Sequence, residues 1–450
     1  MSTEQDLYRF VADLPARPLP TATVDACRAL VLDHFGCALL GLQMPWTRAL
    51  KAVTVAAGPV RGTAAIYGTR VCLAPSEAAL VNGTAGHGFD LDDLYFPAMT
   101  HPGCVVIAAA TAAAAGRDVD GRRFLAAVVA GYEVMCRIGV AVGLAHGEAG
   151  FHATGQHGPA GAAAAVAVLR GFDADRVADA VGVAGSLGAG IKAFTNGPGM
   201  VKRLHAGRAA QAGVLAAELV ERGFEGPRSA LTGKFGLVHV LGGAAARPEA
   251  LWADLGARFV VDDVYLKAYP ACGAVHGALR AAEELAPKLP DASQIVRVVV
   301  GTSRRALAQN SDPRPEDLMS VQYSMEACVA LGLLGEAARP AGYLAFVADR
   351  DHPARALAGL VQMELDEKAE AAYPDPNVSR VDVHTRDGAQ LSAYGSSDTA
   401  SSSGWDVAVA KFAAVTDTLL GAAARSEVRA AVAALAAGGT VDDCLSTLAR

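Results

Sequence analysis

Two histidines and three aspartates crowd the segment from Asn82 to Gly103, NGTAGHGFDLDDLYFPAMTHPG. His87 and His101 are side chains able to move protons near neutral pH, and Asp90, Asp92 and Asp93 could orient them or hold cations. Pro97 and Pro102 interrupt regular structure there. The flanks are apolar and rich in alanine, so burying these groups is costly unless they are arranged for a purpose. The alternative is a surface loop whose aspartates cap a helix. Three later segments carry similar clusters in equally apolar surroundings, which favours chemistry.

In GFHATGQHGPAGAAAAVAVLRG, residues 150–171, glycines place His152 and His157 in a turn before an alanine-rich helix. The free amides of that helix N-terminus could seat a carboxylate. In GPGMVKRLHAGRAA, residues 197–210, Lys202, Arg203, His205 and Arg208 cannot all enter a core without anionic partners. Some are expected to pair with the aspartates at 90–93. The others could hold an anionic ligand, with arginine suited to bidentate contacts and lysine to a point charge. In VYLKAYPACGAVHGALRAAEEL, Lys267, Cys272 and His276 lead into a helix, and Tyr323 stands near the start of a helix expected over 320–334. From these clusters, Arg203, His205, His157 and His276 are expected to bind the substrate.

The elements that must position these residues are mostly helical. Leu7, Phe10, Val11 and Leu14 share one face of a first helix, and Thr21 opens a second with Val24, Cys27, Leu30, Val31, Phe35 and Leu39 at helical spacing. Asp33 and His34 within it suggest an internal polar pair. Residues 60–75 look like a connector, and Glu77 to Gly86 a helix that delivers the chain to the aspartates. Cys104–Gly116 and Arg122–Val142 are long alanine- and valine-rich runs that favour helix over strand. From about residue 265 the texture changes. QIVRVVVGTS (294–303) has the composition of a strand, and VSRVDVHTRDGAQLSAYG (378–395) that of a hairpin about Asp387-Gly388. The expectation is a mainly α protein, with a helical domain over residues 1–264 and 397–450 and a smaller α+β domain over 265–396.

Composition narrows the function. A net charge of −7 speaks against a nucleic-acid surface while leaving room for a local basic pocket. With 52% hydrophobic and 19% charged residues the chain is globular rather than disordered. Its eight cysteines form no CxxC pair, against the usual zinc-ribbon and iron–sulfur spacings and in keeping with a reduced, cytoplasmic protein. The start, MSTEQDLYRF, is not that of a signal peptide, and apolar runs such as Val105–Ala115 fall short of the ~20 residues a membrane span needs. A soluble protein without membrane contact is expected. A magnesium-binding DDxxD motif fails because Phe96 stands where the third acid belongs, so no metal is expected.

Five motifs together, GHGFDLDD…THPG, GFHATGQHG…GAAAA, GPGMVKRLHAGRAA, GFEGPRSALTGKFG and LKAYPACGAVH, resemble the MmgE/PrpD family in order and rough spacing, over nearly the whole chain. That family includes 2-methylcitrate dehydratase, cis-aconitate decarboxylase and iminodisuccinate epimerase. The resemblance implies a large all-helical domain with a smaller α+β lid, a homodimer, no cofactor, and a pocket of Asp90, His101, His152, Lys202, Lys267 and Tyr323. It implies a lyase, either dehydratase or decarboxylase, that abstracts a proton next to a carboxylate of a small di- or tricarboxylate. An epimerase and a catalytically inactive ligand-binding homologue are the alternatives. In this scheme Asp90 orients His101, fixes its tautomer and raises its pKa; Lys202 and Lys267 stabilise the developing charge; Tyr323 or His152 moves the second proton. The pocket is expected at the junction of the two domains. Two departures forbid transferring any member's substrate: Leu94 stands where several members have Thr or Ser, and the interval from Asp90 to His101 is one residue longer than in the decarboxylase pattern.

Overall fold

Helices Gly103–Ala114, Gly121–Val142 and Ala153–Arg170 are buried nearly all round, as sequences without a polar face require. The computed structural model describes residues 3–56, 62–196, 199–289, 291–373, 376–397 and 403–449. Gly121–Val142 is long and apolar enough to cross a membrane, but 94% of its most apolar window is covered by the rest of the protein, so it is a core helix. Thr3 caps the first helix and Thr21 opens the second, Thr21–Gly41. The connector before residue 75 contains a two-residue hairpin ladder, Ala64–Ala65 against Cys72–Leu73.

Two long-range contacts set the geometry of the polar segment. Helix Pro75–Gly86 meets helix Val201–Glu221 backbone to backbone, at Gly83 and Gly207. A Cβ on Gly207 would lie 2.2 Å from the Leu80 carbonyl oxygen, so only glycine permits this approach. The crossing puts Lys202, at the start of one helix, beside the chain leaving the other. The second contact is an antiparallel bridge in which Leu94 and Tyr265 exchange both backbone hydrogen bonds, at 2.9 Å each. It lays the segment of Lys267 along the segment of Asp90.

The sheet has four strands in the order Val361–Leu365, Ile295–Thr302, Asn377–Thr385, Gln390–Ser397. The last three are antiparallel neighbours, and the hairpin turns at Gly388 in a left-handed conformation. Val361–Leu365 pairs in parallel with Ile295–Thr302 and was not apparent in the sequence. It is short and mostly solvent-facing, with only Val361 buried, so it carries little apolar signal. The helix expected over 320–334 is two, Leu318–Tyr323 and Met325–Leu333. Ser324 is extended and its hydroxyl caps the second helix, leaving Tyr323 at the end of the first rather than near the start of a long one.

The buried apolar residues fall into two main clusters. One runs from Leu7 to Leu266 and takes in Ala408, Phe412, Val428, Val432 and Cys444 from the C-terminal helices Trp405–Thr416, Ala422–Ala434 and Val441–Leu448. The other is built from Tyr269 to Ala393, joined by Cys37, Leu40, Met44, Phe89 and Leu91. The chain is thus a large helical lobe and a smaller α+β lobe. Asp33 and His34 do not pair as expected. Asp33 accepts from Lys411 Nζ at 2.6 Å, while His34 stands edge-on to Tyr67 and burial pushes it down to about 4. Neighbours on a helix diverge by about 100°, so each met a different partner. All eight cysteines are free thiols.

Candidate active site

Asp90 has a backbone φ of 54°, the left-handed region that Asp tolerates better than most residues. This bend exposes its carbonyl and both carboxylate oxygens to two ammonium groups. Lys202 Nζ donates to Oδ2 at 2.7 Å; Lys267 Nζ donates to Oδ1 at 2.7 Å and to the Asp90 carbonyl at 2.9 Å. All three side chains are buried. Burial pushes the Asp90 carboxyl up, but Lys202 and Lys267 overcome it and hold it well below the usual carboxylate range. Two cations thus share one anion. Lys202 also lies 5.0 Å over the Tyr323 ring. Burial keeps the Tyr323 phenol far above its ordinary value, so it stays protonated and is not available as a base.

His101 Nδ1 lies 2.7 Å from the Asp93 carbonyl oxygen. A carbonyl can only accept, so the neutral ring carries its proton on Nδ1 and leaves Nε2 unprotonated. Burial holds His101 at about 3 against the opposing pull of Asp92, whose Oδ2 is 3.6 Å away. His87 Nδ1 bonds Asp92 at 2.8 Å, and the His87 and His101 rings lie 4.7 Å apart. Burial pushes the Asp92 carboxyl up, but its surroundings, among them the His87 hydrogen bond and the Lys267 charge, together hold it below the usual carboxylate range. Asp93 accepts from Gly103 N at 2.9 Å and from the Tyr132 hydroxyl at 2.6 Å, and burial raises it to about 7. His152 Nδ1 faces His205 Nδ1 at 3.1 Å, and burial keeps His152 well below its ordinary value.

Asp90, His101, His152, Lys202, Lys267 and Tyr323 all line one cleft with about 680 Å³ of empty space, part of it open to solvent. Tyr323 comes from the α+β lobe, and Lys267 stands just before its first core residue, Tyr269. Ligand atoms of His87, Asp90, Asp92 and His101 lie within 4.8 Å of one another, a spacing a divalent cation could use. Both Asp90 oxygens, however, already face an ammonium at 2.7 Å, which would repel such an ion. The donor set fits anion binding better than metal binding.

The MmgE/PrpD N-terminal domain model matches residues 5–249, and the MmgE/PrpD C-terminal domain model matches residues 269–437. The chain belongs to the MmgE/PrpD family. It is 28% identical over 298 residues to a cis-aconitate decarboxylase of Aspergillus terreus, covering 64% of this chain and 60% of that one. It is 29% identical over 301 residues to the cis-aconitate decarboxylase-like protein oryM of Aspergillus oryzae, covering 64% and 62%. To the cis-aconitate decarboxylase of Homo sapiens it is 32% identical over 219 residues, covering 47% and 44%. The match therefore spans about three fifths of the Aspergillus relatives' length.

Within this MmgE/PrpD site the expected division of labour needs correction. Asp90 does not orient His101: both of its oxygens are taken by lysines, and the Asp93 carbonyl sets the histidine tautomer. The His101 pKa is lowered rather than raised, because desolvation outweighs the nearby carboxylate. None of the four residues expected to bind substrate is among those lining the cleft. Arg203 donates to Gln322 at 3.0 Å and stacks on Trp46 at 4.5 Å. His205 stands behind His152. His157 lies inside helix Ala153–Arg170, fully buried against His146. His276 bonds the Tyr265 hydroxyl at 3.0 Å and the Ala271 carbonyl at 3.2 Å. Of the cationic segment's motif, Gly197 and Pro198 lie outside the described residues. Unforeseen in the cleft wall are His146, Lys192, Phe194, Arg305 and Gln309. No motif marks them, since only packing of distant segments brings them there.

Proposed function

We propose that this protein is a cofactor-independent lyase, of the cis-aconitate decarboxylase or 2-methylcitrate dehydratase type, acting on a small di- or tricarboxylate. The observation that carries the reading is the buried Lys202–Asp90–Lys267 cluster beside His101, a neutral histidine with Nε2 unprotonated. A base ready at neutral pH and fixed cations for a developing enediolate are what proton abstraction next to a carboxylate requires. Lys202 gives one hydrogen bond to Asp90 where Lys267 gives two, so Lys202 keeps more donors for a substrate oxygen. Asp90 holds both ammonium groups in place and removes part of their mutual repulsion.

In the dehydratase form, His101 Nε2 takes the proton from carbon and the bonding pair spreads into the carboxylate facing Lys202. Hydroxide then leaves the neighbouring carbon and is protonated to water by the Tyr323 hydroxyl or by a protonated histidine. In the decarboxylase form, a carbon–carbon bond breaks, CO₂ departs, and the carbanion left behind takes its proton from the same donors. The α+β lobe over residues 265–396 would act as a lid, since Lys267 and Tyr323 grip the substrate from its side; closure expels water and strengthens each charge contact. The family resemblance supports a homodimer, which light scattering would read directly.

Incubation with unsaturated, 2-hydroxy and 2-imino polycarboxylates in deuterated water, followed by NMR, tests the reading. A new product, unaffected by a chelator, is expected: one carrying deuterium at the carbon that lost CO₂ for a decarboxylase, or an undeuterated alkene from a 2-hydroxy acid for a dehydratase. Deuterium entering an otherwise unchanged skeleton would instead indicate an epimerase, and binding without exchange an inactive ligand-binding homologue.

A further inference from the structure

Two cations in the cleft wall play no part in the scheme above. Lys192 belongs to the turn of 3₁₀ helix Lys192–Asn196 in the helical lobe, and Arg305 to helix Arg304–Gln309 in the α+β lobe. Both line the cleft, and both are half-buried where Lys202 and Lys267 are fully buried, so they stand nearer its mouth. Their partners are weak. Lys192 Nζ donates to the Gly147 carbonyl at 3.3 Å. Among the described residues Arg305 has one carboxylate within 4.0 Å, that of Glu148, whose side chain is 73% exposed, and it lies 5.9 Å over the Tyr373 ring. Among the described residues Lys192 has no carboxylate within 4.0 Å. Two like charges come together from opposite lobes, and the one carboxylate acting on both among the described residues, Glu148, is 73% exposed, an arrangement that a bound carboxylate would relieve.

We propose that Lys192 and Arg305 form a second carboxylate subsite at the cleft mouth, which holds the substrate carboxylate remote from the reacting carbon. This rests on the polycarboxylate lyase reading and narrows it. Among the ionisable lining residues there are four cations, Lys192, Lys202, Lys267 and Arg305, and one carboxylate, Asp90, while His101 and His152 stay neutral. A trianion matches that excess, whereas a dianion leaves one cation desolvated and unpaired. Because the two cations come from different lobes, the distal carboxylate would also draw the lobes together. Arginine offers it a planar fork and lysine a point charge.

The test compares cis-aconitate with citraconate, which has a methyl group in place of the carboxymethyl arm. Calorimetry on the wild type, Arg305→Gln, Lys192→Gln and Arg305→Lys gives both affinities for each. The wild type is expected to bind cis-aconitate about tenfold or more tighter than citraconate, the worth of one charge-assisted contact. Either Gln variant should bring that ratio close to one while leaving citraconate affinity within about twofold, and Arg305→Lys should recover part of it. A wild-type ratio near one, or a ratio that neither Gln variant changes, overturns the subsite alone. Failure of the wild type to bind either compound overturns the lyase reading and the subsite with it.

Discussion

His101 illustrates how one backbone carbonyl can decide a side chain's chemistry. Because Asp93 O accepts from Nδ1, the ring presents a lone pair on Nε2 without needing a carboxylate partner. His101→Ala is expected to lower kcat by about 10²–10⁴-fold while leaving the circular dichroism unchanged. With His101 held at about 3 by burial, kcat/KM of the wild type should stay level from about pH 5 to 7. An acid limb centred near 6.5, the ordinary histidine value, would show that the base is a solvated imidazole elsewhere. Lys202→Met should raise KM and lower kcat together, since the enediolate puts more charge on the contacted oxygen than the ground state does. A change in KM alone would pass that role to Lys267. Asp93 makes a different prediction. Burial raises its carboxyl to about 7, so between the ordinary 3.8 and that value the folded state holds a proton that the unfolded chain has lost. Its contribution to stability therefore falls as pH rises through this window and levels off above it. Asp93→Asn keeps acceptors and donors for Gly103 N and Tyr132, so the variant's melting temperature should vary less between pH 4 and 7 than that of the wild type. Parallel curves would place the Asp93 pKa near its ordinary value.

At the scale of elements, the site depends on close approach of two helices. A Cβ on Gly207 would run into the Leu80 carbonyl and Thr84, and the close approach that glycine permits lets Lys202 reach across to Asp90. Gly207→Ala should destabilise the fold by about 1–3 kcal/mol, the usual penalty of overpacking, and should lower activity beyond what stability explains. The comparison is between thermal unfolding and turnover measured well below the melting point. A variant as active as the wild type would mean that Lys202 is positioned by other contacts. Lys411, on the C-terminal helix Trp405–Thr416, acts on the same segment from the other side. It bonds Asp33 and the Leu91 carbonyl at 2.7 Å, fixing the chain one residue beyond Asp90. The segment around Asp90 is thus held by Lys202 and Lys411, from two helices distant in sequence.

For the whole molecule, the arrangement of two lobes around one cleft predicts coupling between binding and closure. Saturating cis-aconitate, at about 100 times Kd, should stabilise the protein by about 2.7 kcal/mol. Amide exchange should slow in both Lys192–Asn196 and Arg304–Gln309, one in each lobe, as well as around Asp90. Protection confined to the helical lobe would mean that the α+β lobe is a wall rather than a lid. The boundaries of the lobes do not coincide with those of the family models. The C-terminal model runs to residue 437, yet the helices after 404 bury their apolar faces in the first core. A continuous stretch of family sequence is here divided between two packing units.

What the sequence determined by itself was the class of fold and, through its resemblance to the MmgE/PrpD family, six residues that meet in the cleft. Helical periodicity, valine-rich strands and short motifs are local signals, set by a residue and its near neighbours. Who pairs with whom was not local. Lys202 and Lys267 are 112 and 177 positions from Asp90, and only the helix crossing at Gly207 and the Leu94–Tyr265 bridge make them its partners. The His101 tautomer, the withdrawal of His157 and His276 into the core, and the arrival of Lys192 and Arg305 at the cleft were decided in the same way. Each depends on which surfaces exclude water together, and that is a property of the packed chain.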